Sequence, residues 1–373
     1  MRVFNAILVI AITASLRNIA SADEPKPQYE AEGISIPAAS ADEPTRGELS
    51  VEAAAKYLEQ GSKAWTESRN CISCHTNGSY LQIRPALTPL LGKPDEGARD
   101  FFIDQLETFE KLPQEERQAS TTPAQIIYLA AGLSEWDAHV TKELSGETGR
   151  ALDLMFAVQR ENGTWGSLDC WPPFESDAYH LATVAAMAAG TAPGWLEQQG
   201  HGEKTAQGVE LLKNYLQAEQ PPHDYSRLLL LWAGARMPGL VSDEKKGELV
   251  AMVLRHQRED GGWSIRSFAA PEAWGKGNRA ERLRGESDLT TPPSDGHLTG
   301  LATLVLLENG VAAEDPAIAK GLTWLKRNQR ESGRWWTKSL NTDTWHFVTY
   351  SGTCYPLLAL YKGKALPMAE SRR

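Results

Sequence analysis

The sequence predicts an all-α fold, six helical hairpins closed into an (α/α)6 barrel. Two observations carry that prediction. The stretches "QRENGTW" (159–165), "QREDGGW" (257–263) and "QRESGRW" (329–335) match in register, and each ends a helical apolar pattern at a Gly-containing turn. Between them lies a second kind of segment, such as "YHLATVAAMAAG" and "HLTGLATLVLLENG", apolar on most faces and therefore read as buried helix. An internal repeat of this length points to a stacked or closed array of helical hairpins. With 373 residues, 41 % of them hydrophobic and 23 % charged, the chain has material for a sizeable core.

In chain order, Met1-Arg2 and the apolar run "VFNAILVIAITASL" precede Ala20-Ser21-Ala22, the pattern of a signal peptide over 1–22 cut after Ala22. An uncleaved membrane anchor is the competing reading, although the run is short for a bilayer. Cleavage implies a periplasmic or otherwise secreted protein with no transmembrane segment in the mature chain. Residues 23–48, rich in Pro, Glu, Ala and Ser, read as a disordered leader outside the fold. The helical array covers 49–363. Its amphipathic outer helices are expected near 51–63, 97–112, 145–160, 204–218, 243–258 and 315–329. Inner partners fall near 79–92, 122–135, 177–190, 224–236, 295–309 and 345–362. A closed ring with a central cavity is the natural arrangement of six pairs; an open solenoid is the alternative. Residues 364–373 form a tail. A net charge of −10 argues against nucleic acid, which is bound through a clustered basic face.

The Gln-x-x-x-Gly-x-Trp endings resemble the QW motifs of squalene and oxidosqualene cyclases and of the related α/α toroids that include protein prenyltransferase β subunits. The resemblance spans residues 49–363. It implies a toroid in which Gln159, Trp165, Gln257, Trp263, Gln329 and Trp335 brace the end of one outer helix to its neighbour. It does not carry over the activities. No Asp-x-Asp-Asp protonation motif occurs, and Gly352 stands where the prenyltransferase zinc histidine is expected.

"CISCH" (71–75) has the attachment pattern of a c-type haem. Two thiols three residues apart reach one porphyrin edge to form thioethers, and the following histidine supplies a nitrogen to iron. Cys71 and Cys74 are thus the attachment residues, His75 the proximal ligand, and haem c the expected covalent cofactor. A Cys71–Cys74 disulfide or half a zinc site are the competing readings. The haem loop, 66–78, falls between the first outer and first inner helix, so the haem sits on the rim.

Other rim segments share a pattern: "DAYHLAT" (177–183), "DTWHFVT" (343–349) and the related "SDGHLTG" (294–300). Asp177, Asp295 and Asp343 read first as N-caps of inner helices and only weakly as catalytic groups. Repeat six neighbours repeat one in a ring, which makes His346 the first candidate for a distal iron ligand, then His180 and His297; an open sixth position competes. Cys170 and Cys354 belong to opposite hairpins and are expected to stay unpaired. The long mouth insertion 264–293 is either functional, with Arg279, Arg282 and Arg284 reading an anion beneath a Trp274 lid, or a solvated excursion balanced by Glu272, Glu281 and Glu286.

The function expected from these residues is electron transfer, or redox chemistry on an apolar small-molecule ligand in the central cavity, with a redox partner protein. A terpenoid-binding or cyclase-like enzyme with a structural or sensory haem, and a non-catalytic interaction scaffold, are the alternatives.

Overall fold

The computed structural model describes residues 26–169, 171–198 and 202–366. The expected signal peptide, Cys170 with its pairing, and the last residues of the tail lie outside them. Among the described residues the fold is all-α apart from one short antiparallel hairpin, β1 (Tyr29–Ala31) with β2 (Ile34–Ile36). The helices are α1 (Val51–Arg69), α2 (Asn77–Ile83), α3 (Thr88–Leu91), α4 (Glu96–Lys111), α5 (Gln114–Arg117), α6 (Thr122–Trp136), α7 (Gly146–Ala157) and α8 (Ala178–Thr191). They continue with α9 (Glu203–Ala218), α10 (Asp224–Arg236), α11 (Asp243–Arg255), α12 (Ala280–Arg284), α13 (Gly296–Glu308), α14 (Pro316–Arg327) and α15 (Val348–Lys362). No helix among them is long and apolar enough to cross a membrane.

Two classes of helix alternate, as the patterning predicts. The outer helices α1, α4, α7, α9, α11 and α14 bury one stripe only; α4, for instance, buries Phe102, Leu106 and Phe109 at helical spacing. Several start at a serine whose hydroxyl accepts from the first turn, as Ser50, Ser145 and Ser242 do. The inner helices α6, α8, α10, α13 and α15 are buried along most of their length. The first inner helix departs from expectation. Instead of one helix over 79–92 the chain makes α2, a 3₁₀ turn (Arg84–Leu87) and α3, because Pro85 and Pro89 each remove a backbone donor.

The inner elements pack in sequence, α2 on α6, α6 on α8, α8 on α10, α10 on α13 and α13 on α15, and α15 returns to α2. The contact between α13 and α15 is close. A Cβ on Gly300 would lie 2.3 Å from Pro356 Cδ, so only glycine admits the proline ring there.

Each QW glutamine reaches from the end of its own outer helix to the next one. Gln159 donates to Gly163 O and Gly208 O at 3.0 Å each, and Gln257 to Gly261 O and Ala317 O at 2.8 Å each. Gln329 joins the last outer helix to the first: its Oε1 accepts from Ser50 N at 2.7 Å, and its Nε2 donates to Ser50 O at 2.8 Å and Gly333 O at 2.9 Å. The tryptophans bind back instead, Trp165, Trp263 and Trp335 donating to Met155 O, Val253 O and Leu325 O. Gln329 is fully buried. Gln329→Ala should therefore cost about 1–3 kcal/mol for each backbone group it strands, read as a lower urea midpoint with an unchanged slope.

The expected disordered leader is corrected for residues 26–48. Tyr29 is buried against Tyr57, Tyr350 and Phe347. The Glu43 carboxylate pairs with Arg334 at 3.0 Å and accepts from Ser332 N at 2.8 Å. The segment is polar in composition, yet a few aromatic and ionic anchors suffice because their receptors are built by the first and last hairpins.

At the C-terminal ends of the inner helices lies a buried ionic knot. Arg236 on α10 bonds Glu135 of α6 at 2.8 Å and both oxygens of Glu308 of α13 at 2.9 Å; Lys362 of α15 joins Glu308 at 2.8 Å. Four inner helices are thereby tied at the end of the fold opposite the rim loops.

Candidate functional site

The CISCH loop is held from within by Asn77, 1 % exposed at the start of α2. Its Oδ1 accepts from Ser73 N at 2.8 Å, and its Nδ2 donates to Cys71 O at 3.0 Å and Thr66 Oγ1 at 3.2 Å. Gln125 of α6 accepts from Ile72 N at 3.2 Å. Gly78 lets the loop close on itself, since a Cβ there would meet Ser73 O at 2.5 Å. The loop is thus a fixed shelf.

That shelf forms one wall of a cavity of about 420 Å³, within the range of small-molecule and cofactor sites. Cys71, Cys74 and His75 line it, faced by Trp171, Phe174 and Glu175 from one strap and Trp345 and Phe347 from another. Cys71 is half-buried and Cys74 buried, and the two sulfurs are not joined to each other, so the competing disulfide is not formed. Among the described residues no group of three or more His, Cys, Asp or Glu is arranged to hold a metal ion. An iron already carried by a porphyrin needs only axial nitrogen from the chain, so this donor set suits a haem better than a bare ion.

His75 is positioned by rings. Phe347 stacks on it at 4.9 Å and 29°, while Trp65 meets it edge-on at 4.7 Å. Nδ1 lies 2.9 Å from Thr76 Oγ1, and Nε2 has no hydrogen-bond partner among the described residues. A held Nδ1 and an unengaged Nε2 are what an axial imidazole requires. Burial pushes the His75 pKa down to about 4, so the ring is neutral near pH 7, the form that binds metal. Glu175, 8 % exposed, turns its carboxyl to the Cys74 thiol, and burial raises its pKa.

The other candidate residues are not gathered at this cavity. His180 Nε2 lies 3.0 Å from Tyr128 OH, and His297 is held between Tyr225 OH at 3.0 Å and Ser351 Oγ at 2.8 Å. Both are buried within the inner-helix core, and burial lowers their pKa values to about 4 and about 3. His346, the first distal candidate, accepts from Ser339 N at 3.0 Å through Nδ1 and lines a separate cleft of about 1030 Å³. Its neighbour Phe347, not His346, faces the CISCH loop. Asp177 and Asp295 cap α8 and α13 as expected, accepting from His180 N at 2.8 Å and Leu298 N at 2.9 Å. Asp295 also takes Ile265 N at 2.6 Å, and burial lifts its pKa to about 6. Asp343 is corrected: the last inner helix begins only at Val348, so Asp343 caps nothing and instead pairs with Arg282 at the surface.

The mouth insertion is ordered by its own charges. Arg284 pairs with Glu272, Arg282 with Glu286 and Asp343, and Arg279 donates to Asn341 Oδ1 at 3.2 Å. The expected anion-reading trio is thus spent on internal partners. Trp274 is buried against His223 and Tyr225, at 4.7 and 5.5 Å, as a plug rather than a mobile lid. Cys354 is a buried free thiol in α15.

Of the residues that complete the cavity, Trp65 reads from the sequence as the tryptophan of a degenerate QW repeat, whereas Phe174, Glu175, Trp345 and Phe347 were not singled out as site residues. The aromatic and proline density of "WPPFE" (171–175) and of "TWHF" (344–347), each beside a rim loop, is the signal that could have found them. No protein-family model matches the chain, and no curated protein matches it in sequence.

Proposed function

We propose that the chain is a periplasmic monohaem c-type protein in which an (α/α)6 toroid of the terpenoid-cyclase and prenyltransferase type carries the haem on its rim, and that it transfers electrons. The observation that carries this reading is the clamped His75, Nδ1 engaged and Nε2 unengaged, on a rigid shelf whose Cys71 and Cys74 line the same mainly apolar cavity. The packing circuit of inner helices and the Gln329 brace between the last and first outer helices support the toroid. When bound, the haem supplies a one-electron change between ferric and ferrous iron. The chain's own residues do the rest. Cys71 and Cys74 fix the porphyrin edge, and Thr76 and the two aromatic rings hold the imidazole plane. Pro172 and Phe174, both buried, line the cavity beside them, and Trp171 stands at its more exposed edge.

Expression with a haem-maturation system in the periplasm tests the reading. A red protein with a Soret band is the expected product. A colourless chain under conditions where a control cytochrome matures would reject it.

A further inference from the structure

The larger cleft, about 1030 Å³, is separated from the haem cavity by residues 344–347, and Trp345 lines both. From Trp345 a column of rings runs inward: Trp345 stacks on Phe347 at 6.2 Å and 18°, and Phe347 stacks on His75 at 4.9 Å and 29°. Nothing in the proposed haem site requires this column to extend as far as the cleft. An aliphatic side chain at Trp345 would fill the wall equally well. The near-parallel rings, with centroids 6.2 and 4.9 Å apart, give a short through-space route from the cleft to His75. The cleft also offers Trp336, packed edge-on to His346 at 4.6 Å, as a second partly exposed indole. Its walls carry as many carboxylates, Asp260 and Asp295 among them, as basic side chains such as Arg266 and Lys338. That balance disfavours a polyanion such as a nucleotide, whereas the flat indole faces suit a planar aromatic ring.

We propose that this cleft binds a planar aromatic one-electron carrier and that Trp345 and Phe347 conduct the electron between it and His75. The inference rests on the haem reading and adds its port. In the reducing direction a neutral carrier would give up one electron to become its radical cation, and a haem held by Cys71, Cys74 and His75 would accept it; no bond forms or breaks and no proton moves. His346 contributes a fixed donor: with Nδ1 accepting from Ser339 N, the neutral ring carries its proton on Nε2.

The test uses the haem-loaded protein and tetramethyl-p-phenylenediamine, a planar one-electron donor. Dithionite serves as the small reductant that does not need an aromatic site. Stopped-flow reduction should saturate with the diamine concentration. Trp345→Leu should lower the maximal diamine rate several-fold relative to the dithionite rate of the same variant, and Trp345→Phe should restore most of that ratio. Trp336→Leu should instead weaken diamine binding several-fold, read by isothermal titration calorimetry on the haem-free chain carrying Cys71→Ser and Cys74→Ser. An unchanged ratio in Trp345→Leu would overturn the port, as would a Leu and a Phe variant that lose it equally. A colourless chain is a different failure: it removes the haem reading itself, and the port with it.

Discussion

Arg236→Met should destabilise the fold by about 3–5 kcal/mol, the usual cost of breaking a buried ion pair by removing one partner. The side chain is largely buried and binds both oxygens of Glu308 and one of Glu135. Methionine fills the space but leaves Glu135 with only His139 beside it and Glu308 with Trp232 and Lys362. Lys362 reaches Glu308 only. Chemical denaturation at neutral pH, compared with an exposed Arg→Met control, measures the loss. The same knot predicts an acid dependence. The Arg236 and Lys362 charges outweigh burial and hold the Glu308 carboxyl down at about 2. A carboxyl whose folded pKa is depressed stabilises the native state fully above its unfolded value, and that contribution fades as pH falls from about 4.5 toward 2. The native chain should therefore lose stability across that window, and Glu308→Gln, already weaker at pH 7, should lose less of it.

On the proposed haem attachment, replacing Cys71 and Cys74 together by serine should abolish covalent haem while leaving the all-α fold intact. Serine is close to cysteine in size. The loop itself is held by Asn77, Gln125 and backbone bonds, which involve neither thiol. Far-ultraviolet circular dichroism should match the native chain, with no haem retained after acid–acetone extraction. His75→Ala should behave differently, keeping the thioether bonds but losing the axial nitrogen, so the haem stays attached with an altered spectrum. If the serine variant retains its haem through extraction, the attachment chemistry assigned to these residues is wrong.

The outer helices were legible to within a few residues because their signals are local: a single apolar stripe, a serine cap and a Gln-to-Trp turn. Inner helices were legible as buried through their hydrophobicity on every face. The first was misread as continuous because its pattern persists through Pro85 and Pro89, where the backbone cannot. The leader was misread because composition reports how little apolar surface a segment has, not where receptors for it lie. Tyr29 packs between α1 and hairpin six, and Glu43 finds its receptor on hairpin six, some 290 residues away for the pair with Arg334. The ionic knot was invisible for the same reason, since Glu135, Arg236, Glu308 and Lys362 share a place only once the helices are packed.

At the site the division is similar. CISCH is a contiguous motif and could be read directly, and Asp177 and Asp295 follow from the capping rule. The sixth hairpin does reach the CISCH loop, through Phe347 against His75, but the choice within "TWHF" went to the more chemically reactive side chain. The late start of α15 turns Phe347 to His75 and leaves His346 in the neighbouring cleft. Glu175 and the strap that carries it come from hairpin three, and no local pattern ties them to CISCH.

The most direct test of the central claim is the intact mass of the mature protein, recorded under denaturing conditions after expression with haem-maturation machinery. The predicted result is the mass of the chain cut after Ala22 plus one haem, with Cys71 and Cys74 resistant to alkylation. The mass of the bare chain, with both thiols open to alkylation, would contradict it.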